Sequence, residues 1–152
     1  MPPHFSPGET VLYNARAKAR AIARQHRDAL VLGVDTVVAF EGEIFGKPSD
    51  MEKAETMLRR LNGQSHVVYS GVWLAHFANG RECGFIEITH VHFRRLTSDA
   101  LRHYLARIGP LDKAGAYAAQ DDRGELIHSV DGSFTNVIGL PMERLESVLE
   151  AF

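Results

Sequence analysis

A single cysteine, Cys83, stands in 152 residues, so no intramolecular disulfide is available, and neither a CxxC pair nor zinc-type spacing can be drawn. A reducing compartment, the cytoplasm, is the expectation. No uncharged run approaches the roughly 18 residues of a membrane span, and the opening MPPHFSPGE has no basic stretch leading into an apolar one. Membrane insertion and secretion are therefore not expected. Charge of one sign is also scarce: 17 Lys and Arg face 19 Asp and Glu, for a formal charge of -2. No broad cationic field exists to hold long nucleic acid, and any phosphate chemistry must be local. No internal repeat, low-complexity run or linker divides the chain. Its length, with 45% hydrophobic and 24% charged residues, fits one globular domain, 1–152, with apolar side chains enough for a core.

Ser6-Pro7-Gly8-Glu9 is a helix start, with Ser6 as N-cap, Pro7 at the first helical position and Glu9 reaching back. It predicts a helix over 7–27 in which Val11, Asn14, Ala15, Lys18 and Ile22 share a face. Leu30 to Val34 is a short apolar run and reads as a strand buried on both faces, with Asp35 and Thr36 arriving at its end and Val37 to Phe40 continuing. Glu41-Gly42-Glu43 reads as a turn. Ile44-Phe45-Gly46-Lys47-Pro48 then leads to Ser49, read as the N-cap of a helix that runs to Asn62-Gly63 and packs Met51, Ala54, Met57, Leu58 and Leu61. Two β-rich runs, 66–77 and 84–93, flank Asn79-Gly80 and form a predicted hairpin. Thr97 or Ser98 caps a helix stopped by Gly109-Pro110. Residues 111–124 have no clean period, 125–130 and 134–138 read as strands, and Pro141 opens a C-terminal helix. The order is mixed α/β.

Among residues able to carry chemistry, His90 and His92 share a strand face but lack a third placed ligand, which argues against a metal centre there. Cys83 has no neighbouring His or helix N-terminus to activate it. The informative set is Lys18, Asp35, Thr36 and Lys47: two cations and a carboxylate from a helix, a strand end and the sequence Gly46-Lys47-Pro48. Phosphoryl transfer requires positive charge on the non-attacked oxygens and a carboxylate that holds a divalent metal or orients water, and these residue types supply both.

The runs Val31-Leu32-Gly33-Val34-Asp35-Thr36-Val37-Val38, Gly46-Lys47-Pro48, Met57-Leu58-Arg59-Arg60-Leu61-Asn62-Gly63, Leu111-Asp112-Lys113-Ala114-Gly115-Ala116-Tyr117 and Val137-Ile138-Gly139-Leu140-Pro141 resemble, in order and over nearly the whole chain, the Maf family of nucleoside triphosphate pyrophosphatases. The resemblance implies a mixed α/β fold of the inosine triphosphatase type, an elongated curved sheet with flanking helices and a cleft between two lobes. It also implies a homodimer in the cytoplasm, and hydrolysis of a nucleoside triphosphate to monophosphate and pyrophosphate with a divalent cation, Mg2+ or Mn2+. By resemblance, Asp35 matches the proton acceptor, and Lys18 and Lys47 match phosphate-contacting lysines; as a carboxylate beside phosphate-binding cations, Asp35 is also the candidate metal ligand. Thr36 and Gln120 match positions that tune the base. Asp35-Thr36 together with Ala116-Tyr117-Ala118-Ala119-Gln120 looks like the branch acting on dTTP and UTP. A glutamine amide suits that role, since one side chain offers a donor and an acceptor to a uracil or thymine edge.

One departure stands out. The family pattern begins with a strand and a Ser-x-Arg loop that wraps the phosphates, and this sequence starts after both, N-terminally truncated relative to the family: either the true start lies upstream of Met1, or this is a trimmed form that lacks them. The expected consequence is an open sheet edge that favours dimerisation or strand exchange. The competing expectation is a nucleotide-binding or regulatory protein that keeps the fold but has lost turnover with that loop.

Overall fold

The computed structural model describes residues 4–152. Among the described residues five helices, α1 (Pro7–Ala23), α2 (Met51–Leu61), α3 (Ser98–Ile108), α4 (Phe134–Ile138) and α5 (Met142–Ala151), flank five strands, β1 (Leu30–Phe40), β2 (Glu43–Phe45), β3 (Ser65–His76), β4 (Arg81–Phe93) and β5 (Ile127–Asp131). The strands form one mixed-length sheet in the order β2-β1-β3-β4-β5, every neighbouring pair antiparallel. The fold is the mixed α/β architecture expected, and the β3–β4 hairpin turns at Asn79-Gly80 as predicted.

Helix α1 opens on the anticipated capping box, with the Ser6 hydroxyl accepting from Glu9 N and the Glu9 carboxylate accepting from Ser6 N. It ends at Ala23, four residues before the predicted end, because its buried stripe of Val11, Ala15, Ala19 and Ala23 ends there and nothing beyond holds further turns to the sheet. That stripe corrects the predicted face: Ile22 is exposed and Lys18 lies at the rim. Small side chains matter here because α1 lies directly on the sheet. A Cβ on Gly33 of β1 would lie 2.2 Å from the Ala15 carbonyl oxygen, and one on Gly71 of β3 would lie 2.4 Å from the Val11 backbone.

The strand predicted for 30–34 is one unbroken strand to Phe40, and it is not buried on both faces. Leu30 and Leu32 are exposed, since they alternate onto the face opposite Gly33, and α1 covers the face that carries Gly33. Among the described residues, 30–37 of β1 has β3 on one side and no strand on the other. Asp35 is thus mid-strand, not at a strand end.

Three further local readings give way. Helix α2 is capped by Asp50, whose carboxylate accepts from Lys53 N at 2.8 Å, rather than by Ser49; the anion also suits the positive helix end. Its Met51 is exposed while Ala54, Leu58 and Leu61 are buried. Residues 134–138 form α4, not a strand. The Ser133 hydroxyl accepts from Asn136 N at 3.1 Å, and the Asn136 amide, buried in full, donates to Thr89 Oγ1 at 3.0 Å. Capping and a buried polar anchor outweigh the β-propensity of Phe, Thr, Val and Ile. The aperiodic stretch after α3 is three 3-10 turns, Pro110–Asp112, Ala114–Ala116 and Ala119–Asp121.

The largest core cluster gathers Leu58, Leu61, Val68, Val91, Phe93, Leu101, Tyr104 and Leu126 beneath α2 and α3. A second, Val72, Leu74, Phe85 and Leu145, seats α5 on the sheet, and a third, Ala19, Ala23 and Ala75, seats α1. The cleft described next opens where β1, α1 and the 3-10 turns meet.

Candidate active site

Lys18, Asp35, Thr36, Lys47 and Gln120 line one cleft of about 390 Å³, with Asp112, Lys113, Tyr117 and Gly139 among its other walls. Successive strand residues point to opposite faces, so Asp35 and Thr36 reach the cleft from opposite sides of β1. Of the β1 residues in its walls, Val34, Asp35 and Thr36 precede the pairing with β2, which begins at Val38.

On the α1 side, Lys18 Nζ donates to Asp35 Oδ1 at 2.8 Å and to the Val34 carbonyl at 3.0 Å. Asn14 Nδ2 donates to Asp35 Oδ2 at 2.9 Å. One turn of helix thus holds both oxygens of the carboxylate in a fixed plane, while each oxygen keeps a lone pair for water, metal or substrate. The Asp35 side chain is 19% exposed and that of Lys18 56%, so the pair is reachable from solvent. The sequence gives Asn14 no role of its own beyond its i to i+4 spacing from Lys18.

On the other face, Thr36 Oγ1 lies 2.7 Å from Ser70 Oγ and 3.4 Å from the Gly139 carbonyl. Ser70 is fully buried, so the Thr36 hydroxyl is tied to β3 on one side and to the turn after α4 on the other. Lys47 is exposed in the loop after β2, and Gln120 is exposed in the last 3-10 turn. Gly115 N donates to the Gly46 carbonyl at 3.2 Å, which ties the Lys47 loop to the segment leading to Gln120. That segment carries left-handed backbone at Gly115 (φ 70) and at Ala116 (φ 64). For Ala116 such a conformation costs about 1–3 kcal/mol and persists only where surrounding contacts fix it.

The contacts that fix it lie beneath the cleft. Tyr117, a wall residue, shares a 2.8 Å hydrogen bond between its hydroxyl and His66 Nε2, and both rings pack edge-on with Phe93. Burial, with a smaller contribution from His92, lowers the His66 pKa to about 3, and burial raises the Tyr117 hydroxyl above its ordinary range. Both groups are neutral at physiological pH. Tyr104, pushed up to about 12 chiefly by burial, accepts from Ala118 N at 3.0 Å and secures the same segment from α3.

Among the described residues no three His, Cys, Asp or Glu side chains gather around one point, which does not suit a resident zinc ion. One or two carboxylates, Asp35 with or without Asp112, do suit a magnesium-type cation whose remaining ligands are phosphate oxygens and water. His90 and His92 lie on β4, outside the walls of the cleft.

A family model described as Maf-like protein matches residues 2–152. A protein of Salinibacter ruber named dTTP/UTP pyrophosphatase is 44% identical over 150 residues, 98% of this chain and 74% of its own length. Another of that name from Pelotomaculum thermopropionicum is 42% identical over 151 residues, 99% of this chain and 79% of its own. A third, from Bacillus cereus, is 40% identical over 149 residues, covering 98% and 77%.

Proposed function

Since the chain belongs to the Maf-like protein family, we propose that it hydrolyses dTTP and UTP, or related modified nucleotides, to monophosphate and pyrophosphate in the cleft around Asp35. The observation that carries this reading is the meeting of Lys18, Asp35, Thr36, Lys47 and Gln120, contributed by a helix, a strand and two separate loops, in one cleft.

The reaction adds water to the α-phosphorus and breaks its bond to the bridging oxygen, which leaves on pyrophosphate. Asp35, oriented by Lys18 and Asn14, orients the attacking water and accepts its proton as the new phosphorus–oxygen bond forms. Lys18 and Lys47 place positive charge against triphosphate oxygens whose negative charge grows in the transition state. A Mg2+ or Mn2+ ion, held by Asp35 and the phosphates, would supply charge neutralisation when bound. Thr36 and Gln120 face the base, where the Gln120 amide pairs with a carbonyl oxygen and the N3–H of a pyrimidine edge. In this reading the chain acts as a single Maf-like domain in the cytoplasm and as a homodimer. The homodimer is the state the family resemblance implies, and light scattering of the purified chain would test it.

A panel of nucleoside triphosphates with Mg2+ or Mn2+, with monophosphate and pyrophosphate quantified separately, tests the function. Preferential turnover of dTTP and UTP is expected. Tight binding without turnover would replace this reading by that of a nucleotide-binding protein.

A further inference from the structure

Lys113 has no part in the reading above, yet it lines the same cleft as Lys18 and Lys47. Its side chain is 21% exposed, against 56% for Lys18. A lysine this well covered has given up much of its hydration and requires an anion in return. The anion in the free cleft is its own neighbour: Nζ lies 3.0 Å from Asp112 Oδ1, and that carboxylate is 74% exposed. Ion pairs so open to water are weakly held. The Asp112 side chain, mostly in solvent, has room to turn outward.

Lys113 is also placed by backbone, and specifically with respect to Lys47. The hydrogen bond from Gly115 N to Gly46 O joins the two lysine-bearing loops. At Gly115, with φ 70, an added Cβ would lie 2.9 Å from Val38 Cγ2, so the loop is seated directly against β1. Lys47, Asp112 and Lys113 line the same cleft, so a phosphate group that took the place of the Asp112 carboxylate would enter a wall already furnished with both cations.

We propose that Lys113 is a third cation for the triphosphate, and that Asp112 is a built-in counter-ion that occupies it in the free cleft and is displaced when the triphosphate enters. With Asp112 in place, three lysines and two carboxylates leave the cleft one net positive charge; with Asp112 turned out, they leave two. The device keeps a covered lysine paired in the absence of substrate and raises the field as substrate arrives. The inference rests on the cleft being a triphosphate site, as proposed above.

The test measures binding of inorganic tripolyphosphate by calorimetry to the full chain and to Lys113→Met, Asp112→Asn and the double variant, alongside kcat/KM for dTTP. Lys113→Met is expected to weaken tripolyphosphate binding about ten- to hundredfold, the range for a charged hydrogen bond. Asp112→Asn is expected to tighten it severalfold by removing the competing anion, and to bring no gain when Lys113 is already Met. Binding by Lys113→Met within twofold of the parent, or weaker binding by Asp112→Asn, overturns the inference. If Lys113→Met folds poorly, the Asp112→Asn comparison decides alone. Failure of the parent chain to bind tripolyphosphate or turn over any nucleotide would overturn the proposed function and this inference together. Turnover by the parent with an unaffected Lys113→Met would overturn only the inference.

Discussion

Gly33 of β1 and Ala15 of α1 meet backbone to backbone, so closely that a methyl group on Gly33 would lie 2.2 Å from the Ala15 carbonyl oxygen. Lys18 follows Ala15 by less than one turn and Asp35 follows Gly33 by two residues on the same strand face. The close approach is therefore what lets Lys18 reach both the Asp35 carboxylate and the Val34 carbonyl. Gly33→Ala should force α1 off the sheet, lowering stability by about 1–3 kcal/mol or more and lowering turnover with it. Denaturant unfolding and steady-state kinetics on one preparation check this; a variant of unchanged stability and rate would show that α1 can yield without cost.

Asp35→Asn should reduce turnover to background while the fold is kept, because an amide neither accepts the proton of the attacking water nor holds a cation as an anion does. Lys18→Ala and Lys47→Ala should each cost on the order of 3 kcal/mol of transition-state stabilisation, read from kcat/KM. Circular dichroism separates the roles: an alanine variant that unfolds marks its lysine as structural.

Gln120→Glu places an acceptor-only group against a carbonyl oxygen and should lower kcat/KM for dTTP and UTP by an amount worth a few kcal/mol relative to a purine triphosphate. The ratio across bases is the decisive quantity, and equal losses for every nucleotide would put Gln120 outside base recognition.

His66 makes stability depend on pH in a definite direction. Its folded-state pKa of about 3 lies below the ordinary value near 6.5, so between these limits the unfolded chain binds more protons. The contribution is full above about pH 6.5 and is lost as pH falls toward 3, at up to about 1.4 kcal/mol per pH unit. His66→Phe should flatten that part of the profile while lowering stability at neutral pH by about 1–3 kcal/mol, because the buried Tyr117 hydroxyl loses its partner. Urea unfolding at a series of pH values measures both, and an unchanged slope in the variant would place the titration elsewhere.

Features set by short-range chemistry were legible in the sequence. The Ser6 and Glu9 capping box, the cap of α3 at Thr97, one of the two candidates there, with Gly109 closing the helix, and the Asn79-Gly80 turn each depend on a few adjacent residues. Misreadings came where tertiary contacts decide. Phe134 to Ile138 has strand-forming side chains, but the Asn136 amide is buried against Thr89 and Val68, partners more than forty residues away. Leu30 and Leu32 read as buried because they are apolar, and no local signal told that one face of β1 would stay uncovered. In the candidate site, residue types and collinear motifs pointed to Asp35, Lys18 and Lys47. Asn14, Ser70 and Lys113 emerged only when the strands and turns were assembled, because each owes its position to a contact across elements.

The most direct test of the account is a phosphorus NMR measurement of the products formed from dTTP by the purified chain with Mg2+, run beside Asp35→Asn. The account predicts equal amounts of thymidine monophosphate and pyrophosphate from the parent chain and neither from the variant. Release of orthophosphate with thymidine diphosphate, or monophosphate formation that persists without the Asp35 carboxylate, would contradict it.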